Sequence, residues 1–143
     1  MPEFRRAEER DCEYIASLEA KYIECPWSVS VLKTTISDEL SAIYLLVEGD
    51  EVLGYGGLKM ALDTAEVYNM AVDEKHRRKG YGALILEKLI DHALSSGARE
   101  MFLEVNEHNE PAYNLYISHG FKISHVRKNY YKSGDALVMR LEI

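Results

Sequence analysis

The segment from Ala65 to Val105 constrains the fold of this chain more than any other part of the sequence. Ala65 to Val72 has the apolar character of a strand, and the apolar residues of 86–93 then recur at helical spacing. Apart from its acids, Glu100 to Val105 is apolar on both faces, which is typical of a strand in a covered parallel pair. The order strand, loop, helix, strand predicts a sheet that is at least partly parallel.

The loop of this unit, Arg77 to Ala83, has the composition of an anion-binding turn. Gly80 and Gly82 let backbone approach a phosphate without an intervening side chain, and a helix amino terminus favours negative charge. Residues 77–79 add three consecutive cations. The loop lacks the spacing of a Walker turn, and Ile85 stands where the dinucleotide fingerprint needs a third small residue. An ordinary glycine-rich helix start with solvated cations is the alternative.

The rest of the chain alternates between strand-like and helical patterns. The strand patterns cover residues 2–6, 43–47, 52–58, 121–127 and 136–142. The helical patterns cover residues 7–23, 28–38 and 109–119, with Ser28 and Asn109 as capping residues. Residues 128–135 are predicted to be a loop because they contain a Ser-Gly-Asp turn signal. No linker or repeat interrupts the pattern, so residues 1–143 are predicted to form one mixed α/β domain.

Charge and composition exclude several classes of partner. The formal net charge of −7 argues against broad binding to nucleic acid, which needs a basic face to displace counterions. An acidic surface favours a cationic acceptor such as an amine or a basic peptide, and acidity that serves only solubility is the alternative. No apolar run approaches the roughly 20 residues of a membrane span, so no membrane partner is expected and the expected location is the cytoplasm. Cys12 and Cys25 form no Cys-x-x-Cys pair and the five histidines show no ligand spacing, so no metal is predicted.

The glycine-containing loop also carries a family signature. The GNAT superfamily of acetyltransferases has the coenzyme A signature Gln/Arg-x-x-Gly-x-Gly/Ala, which Arg77-x-x-Gly80-x-Gly82 resembles. The resemblance implies that acetyl-CoA is the cosubstrate, that the loop wraps its pyrophosphate and that the preceding strand hydrogen-bonds its pantetheine arm. The cofactor-binding residues that it implies are Met70, Ala71, Val72, Arg77, Arg78, Lys79, Gly80, Tyr81, Gly82, Ala83 and, on a later helix, Asn109.

Similarity beyond this loop extends over nearly the whole chain, in the order found in one branch of the superfamily. That branch is the ribosomal-protein alanine N-acetyltransferases, called RimI, and the similar segments are Pro26-Trp27-Ser28, Tyr68 to Asp73, Leu103-Glu104-Val105, Asn109, Leu115-Tyr116, Gly120-Phe121 and Arg127 to Tyr131. The resemblance implies the GNAT fold, a mixed central sheet of about seven strands flanked by about four helices. It also implies direct transfer of acetyl to the N-terminal α-amine of a protein, the alanine of a small-subunit ribosomal protein.

Glu104 is the candidate general base, because acetyl transfer needs an amine that has lost its extra proton. It is an acid in an otherwise apolar strand, where desolvation makes a carboxylate a better base. The alternative is a strand acid that faces solvent or pairs with a cation such as Arg99. The resemblance favours the first interpretation, since the glutamate of Leu-Glu-Val in the related branch is the proposed proton acceptor, acting through water.

Tyr116 is the candidate general acid, because the departing coenzyme A thiolate needs a proton that a nearby phenol can supply. It lies seven residues after Asn109 and so returns to nearly the same side of the predicted helix. A core tyrosine that packs this helix is the alternative. The resemblance implies that Tyr116 is the proton donor and that Asn109 contacts the coenzyme.

Trp27, Tyr130 and Tyr131 are aromatic residues in predicted loops, where they either line a peptide groove or pack locally. The resemblance implies a substrate-binding role, because the family places these segments beside the acceptor amine. The final hairpin, at Lys132 to Asp135, is short for the branch. Two other functions stay open: acetyl transfer to a small amine such as a polyamine or an aminoglycoside, and a coenzyme A sensor without turnover.

Overall fold

The structure, a computed structural model, describes every residue from Met1 to Ile143 and contains seven strands and four α-helices. The strands are β1 (Glu3–Arg6), β2 (Ser41–Glu48), β3 (Glu51–Ala61), β4 (Thr64–Val72), β5 (Glu100–Asn106), β6 (Lys122–Tyr131) and β7 (Gly134–Glu142). The helices are α1 (Cys12–Tyr22), α2 (Val29–Ser37), α3 (Tyr81–Ser95) and α4 (Glu110–Ser118). Short 3-10 turns, Glu9–Asp11 and Glu74–His76, lie ahead of α1 and α3. None of the helices has the length and apolar character that crossing a membrane requires.

The seven strands form one mixed sheet in the order β1-β2-β3-β4-β5-β7-β6. β4 and β5 pair in parallel, with α3 as their connection, whereas β1–β2, β2–β3, β5–β7 and β6–β7 are antiparallel. The parallel ladder is short, because it joins only residues 64–66 with residues 100–102. The predicted strand-loop-helix-strand unit and the predicted mixed sheet are thus confirmed.

Contacts between residues group the chain into two compact units. The first consists of Met1–Lys59 and Tyr68–Leu89, and the second of Met60–Val67 and Ile90–Ile143. The loop predicted to bind an anion therefore lies in the first unit, and Glu104 and Tyr116 lie in the second.

The core of the first unit forms where α1 and α2 pack on β2 and β3. Ile15 and Leu18 of α1 and Leu32 of α2 are each at most 1% exposed. Ser28 caps α2, as predicted, by accepting a hydrogen bond from the Val31 amide at 3.2 Å. The two helices thus hold the segment between them, which carries Trp27, against the sheet.

A buried carboxylate fixes the start of α1. Asp11 accepts hydrogen bonds from the Arg5 guanidinium at 2.8 and 2.9 Å and from the Glu8 amide at 2.7 Å. The hydrogen bond from Arg5 is the main reason why the pKa of Asp11 is lowered. Asp11 also closes a capping box with Glu8, so the helix predicted over residues 7–23 starts as a 3-10 turn and becomes α-helical only at Cys12.

Glycines in β3 let α3 approach the sheet closely. A Cβ atom on Gly56 would lie 2.6 Å from Ile85 Cγ2 and 3.1 Å from Leu89 Cδ1, and one on Gly54 would lie 3.0 Å from Ile85 Cδ1. Ile85 and Leu89 are fully buried, so the surrounding core leaves them little room to move away. The glycines therefore set the distance of α3 from the sheet, and with it the position of the loop before α3.

In the second unit, burial alternates along β5. Met101, Leu103 and Val105 are buried, whereas the residues between them, Glu104 included, are half-buried. The prediction of a strand covered on both faces is therefore wrong. The physical reason is that β5 pairs antiparallel with β7 along its whole length, and antiparallel sheets commonly leave one face open to solvent.

The elements near the carboxyl terminus differ from prediction at one point. Asn109 caps α4, as predicted, by accepting a hydrogen bond from the Ala112 amide at 3.3 Å. Residues 128–131, however, extend β6 and are not a loop. The hairpin closes through the short turn that follows Tyr131, which pairs with Gly134, so Tyr130 and Tyr131 are strand residues.

Candidate active site

The loop before α3 has the backbone geometry of an anion site. Arg78 and Gly80 have positive φ angles of 65° and 82°, which turn the chain just before the helix begins. A hydrogen bond at the start of α3 runs from the Leu84 amide to the Gly80 carbonyl at 3.2 Å, so the helix itself supplies no partner for the amides of residues 81–83. Gly80 has no side chain that could cap them. These amides, at the positive end of a 15-residue helix, are suited to an anion.

The cations of this loop differ in their surroundings. The Arg77 guanidinium lies over the Tyr22 ring, 4.4 Å from its centroid, and its Nε donates to the Val72 carbonyl at 3.1 Å. Arg77 therefore attaches the loop to the end of β4 and to α1. Arg78 and Lys79 are exposed, so their charges face solvent next to the helix amino terminus.

The side chains of β4 lose their alternation just before the residues predicted to contact pantetheine. Tyr68 contacts Trp27, with ring centroids 4.7 Å apart, and the next residue, Asn69, donates to Glu19 of α1 at 3.2 Å. Two successive side chains thus point to the α1–α2 face, whereas Met70 lies on the α3 face. Because a regular strand alternates at every residue, β4 is locally irregular here, a feature that changes the direction of backbone groups.

The residues that follow this irregularity, 70–72, are half-buried. They lie outside the parallel ladder of β4, which covers only residues 64–66. Because β4 also pairs with β3, only the backbone groups that face away from β3 need another hydrogen-bond partner, which water or an extended ligand can supply.

A buried acid attaches the Trp27 segment to the sheet. Glu19 is 1% exposed, and its Oε1 accepts a hydrogen bond from the Trp27 amide at 2.7 Å. Its Oε2 accepts from the Tyr55 hydroxyl at 3.0 Å and from the Asn69 side-chain amide at 3.2 Å. Burial, and next the charge of Glu19, raise the pKa of Tyr55, so its hydroxyl stays a donor.

Glu19 is not among the site residues predicted from the sequence, although its position carries a signal. Glu19 lies four residues after Ile15 and three before Tyr22, which places an acid on the apolar face of α1. An acid at such a position is buried only if other groups hydrogen-bond it.

Glu104, in the second unit, lies on the more open face of β5, and its side chain is 21% exposed. Its Oε1 lies 3.5 Å from Nη1 of Arg127, which also lies over the Tyr130 ring, 5.5 Å from the centroid. The cation beside Glu104 is therefore Arg127 and not Arg99, the cation considered from the sequence. Partial exposure leaves the carboxylate in contact with solvent, as a base that acts through water requires.

Tyr116 is a core residue of the second unit. It is 7% exposed, and its ring centroid lies 6.0 Å from that of Phe121. Burial, with a smaller contribution from Tyr131, raises the pKa of Tyr116 to about 12. The Tyr116 ring therefore packs in the core, as the alternative interpretation of the sequence expected. Its hydroxyl stays protonated at neutral pH.

Tyr130 and Tyr131 end β6 as an edge-to-face pair, with ring centroids 5.0 Å apart, and Tyr130 is 50% exposed. The hairpin that carries them is attached to the loop before α4. The Asp135 amide donates to Glu107 Oε2 at 2.6 Å, and the Glu107 amide donates to the Asp135 carbonyl at 2.9 Å. Asn129, with φ of 56°, donates its amide to Asp135 Oδ1 at 2.7 Å. The short hairpin is therefore anchored, and its two tyrosines have a defined position.

Residues 1–121 match the model of the acetyltransferase (GNAT) family. The chain is 33% identical over 122 residues to the ribosomal protein bS18-alanine N-acetyltransferase of Escherichia coli (strain K12), which covers 82% of each chain. It is similar in structure to the ribosomal-protein-S18-alanine N-acetyltransferase from Escherichia coli, with a TM-score of 0.91 and 30% identity over 100% of this chain and 94% of that one. A chain of the NatC complex bound to Gag peptide and CoA has a TM-score of 0.87 at 22% identity, over 99% and 98% of the two chains, a likeness of fold alone.

Proposed function

The chain belongs to the acetyltransferase (GNAT) family and is an N-acetyltransferase, and from this premise we propose that it acetylates the N-terminal α-amine of a protein with acetyl-CoA. The acceptor that we propose is the N-terminal alanine of ribosomal protein bS18. The observation that carries this proposal is the sequence similarity, over most of the chain, to an enzyme named for that reaction.

The loop before α3 supports the acetyl-CoA part of the proposal. Its pyrophosphate would accept hydrogen bonds from the amides of residues 81–83, with Arg78 and Lys79 as counter-charges. The space beside Gly80 is open, because a Cβ atom built there meets no atom within 4 Å. The full set of residues proposed to bind acetyl-CoA is Met70, Ala71, Val72, Arg77, Arg78, Lys79, Gly80, Tyr81, Gly82, Ala83 and Asn109.

Glu104 is proposed as the general base. An α-amino group titrates near 8, so at neutral pH most of the acceptor carries a proton that must leave before it attacks the acetyl carbonyl. The half-buried, solvent-contacting carboxylate of Glu104 can take that proton through a water molecule. Arg127 beside it offsets the cost of holding a carboxylate partly out of water.

Tyr116 is proposed as the general acid that protonates the leaving sulfur of coenzyme A. Burial raises the pKa of Tyr116 to about 12, above the value near 8.5 of an ordinary thiol, so the phenol keeps its proton until negative charge develops on the sulfur. Tyr116 therefore acts first as a hydrogen-bond donor that stabilises negative charge on sulfur as the carbon–sulfur bond breaks. The same high pKa keeps it in the donor form throughout the neutral range.

Trp27, Tyr130 and Tyr131 are proposed to contact the acceptor. Trp27 is half-buried against Tyr68, and Tyr130 is half exposed at the end of an anchored hairpin, so each combines a fixed position with an accessible ring. Aromatic side chains of this kind supply contact area at low conformational cost.

A panel of acceptors tests the function. Purified protein is given acetyl-CoA with a peptide that begins with the bS18 N-terminus, the same peptide with a blocked α-amine, spermidine or an aminoglycoside, and product mass and released thiol are measured. We expect the free alanine peptide to have the highest kcat/KM, roughly tenfold or more above the small amines, and the blocked peptide to stay unmodified. Faster turnover of a polyamine or an aminoglycoside would assign the enzyme to small amines, and binding of acetyl-CoA without turnover of any acceptor would make it a sensor.

A further inference from the structure

Glu19 is a buried acid that the proposed reaction does not use. It is 1% exposed, and its hydrogen-bond partners are a backbone amide, a phenol and a carboxamide, all of them neutral donors. Carboxylates are rarely buried without a cation, because they lose hydration that a neutral donor only partly replaces. A side chain with such a cost is retained where its hydrogen bonds determine a particular arrangement.

The three donors come from three different elements of the first unit. Trp27 lies between α1 and α2, Tyr55 lies on β3, and Asn69 lies at the irregular point of β4. One oxygen of Glu19 holds the Trp27 amide, and the other holds the two sheet residues. A single carboxylate therefore sets the distance between the Trp27 segment and β4.

The residues whose position it sets are those that face an acceptor in the proposed function. The Trp27 ring stands against Tyr68, 4.7 Å away between centroids, and Tyr68 is the neighbour of Asn69 in the chain. A pocket lies beside these two rings, and its free volume of about 10 Å³ holds no more than a single water. A small movement of Trp27 would therefore change the shape of the surface that the Trp27 and Tyr68 rings form.

We propose that Glu19 is a positioning residue, which holds Trp27 against β4 and thereby sets the affinity for the acceptor. This inference rests on the proposed function, in which Trp27 contacts the acceptor. Glu19 does not touch the acceptor itself. It acts through the hydrogen bonds that it accepts from the Trp27 amide and from Asn69, and none of its hydrogen bonds reaches the loop before α3.

Glutamine at position 19 tests the inference with little change of shape. Its carboxamide has one accepting oxygen and one donating nitrogen, so it cannot accept from both the Trp27 amide on one side and Asn69 on the other. We expect Glu19→Gln to raise KM for the alanine peptide roughly tenfold, and to raise it more than KM for acetyl-CoA. Trp27 is the only tryptophan of the chain, so its fluorescence reports directly on this segment, and we expect acrylamide to quench it more readily in the variant.

Tyr55→Phe is the matched control, since it removes the third donor to Glu19 but keeps those from Trp27 and Asn69. It is expected to lower the melting temperature while Trp27 quenching and the peptide KM stay at wild-type values. Equal effects of the two variants on KM would overturn the inference, as would Glu19→Gln with unchanged quenching and KM. If Glu19→Gln does not fold, Glu19→Asp, which withdraws the carboxylate by one methylene, is held to the same expectations.

The position of Trp27 and the acetylation of the peptide are tested by separate measurements. Quenching is measured on the free protein, so it tests the positioning of Trp27 without any acceptor. If Glu19→Gln exposes Trp27 but the wild-type protein acetylates no peptide, the positioning stands and the proposed function fails. If the wild-type protein acetylates the peptide and the variant changes neither Trp27 nor KM, the function stands and the positioning is wrong.

Discussion

Replacing Glu104 with glutamine is expected to lower kcat for an N-terminal peptide acceptor by roughly 10²- to 10³-fold at neutral pH, the usual range for loss of a general base. Glutamine keeps the size of the side chain but cannot accept the proton of the ammonium group. The deficit should shrink as pH rises through about 8, because an increasing share of the acceptor then arrives already deprotonated. Initial rates at saturating acetyl-CoA, measured across this pH range, check both the loss and its slope.

Glu100→Gln is the control for this experiment. Glu100 lies on the same strand, is likewise half-buried and likewise has an arginine partner, Arg140. Its loss should affect stability and leave kcat at the wild-type value. A Glu104→Gln enzyme with wild-type kcat, or with a loss that does not depend on pH, would remove Glu104 from the role of base.

Gly80→Ala is expected to weaken acetyl-CoA binding by roughly 5- to 30-fold, the equivalent of the 1–2 kcal/mol that a Cβ costs in the left-handed region. Gly80 has φ of 82°, and a Cβ atom there meets no protein atom, so the change introduces strain but no clash. A loop that relaxes to avoid this strain turns the amides of residues 81–83 away from the pyrophosphate. Isothermal titration with acetyl-CoA measures the change.

Gly97, just after the other end of α3, provides a matched substitution. Its φ is 89°, and a Cβ atom there also meets no atom within 4 Å. Gly97→Ala therefore imposes nearly the same strain away from the loop, and it should lower the melting temperature without changing the Kd for acetyl-CoA. Equal Kd changes in the two variants would mean that strain on α3 as a whole, and not the geometry of the loop, controls binding.

Features that depend on local chain geometry were predictable from the sequence. Ser28 and Asn109 are caps because a short polar side chain reaches an amide three residues ahead, whatever the rest of the fold does. The glycine-containing loop was predictable for the same reason, since a strand, two glycines and a helix start within a few residues determine where its amides lie.

Features that depend on register between distant strands were not predictable. Glu104 faces Val138 of β7, and Val138 faces His125 of β6, so Arg127, two residues further on, reaches Glu104 across a strand. Arg99 is much nearer in sequence but is not the partner. Tyr130 and Tyr131 were assigned to a loop because the turn signal at 133–135 was taken to extend over the whole segment, whereas pairing with β7 shifts register after Arg127 and resumes at Tyr131.

The hydrogen bonds that bury Glu19 were also not predictable from the sequence. Its burial requires donors from α1–α2, β3 and β4 to converge on one carboxylate, which no local pattern specifies. Position on the apolar face of α1 indicates an unusual acid, but only the fold identifies the groups that hydrogen-bond it.

The most direct test of the central claim, acetylation of a ribosomal N-terminus, is the intact mass of bS18 from the source cells with and without the gene for this chain. We expect the protein from deleted cells to be lighter by one acetyl group, and the mass to be restored by a plasmid that carries the wild-type gene but not by one that carries Glu104→Gln. An N-terminal alanine of bS18 that stays acetylated in the deleted cells, or that is unacetylated in both, would contradict the claim.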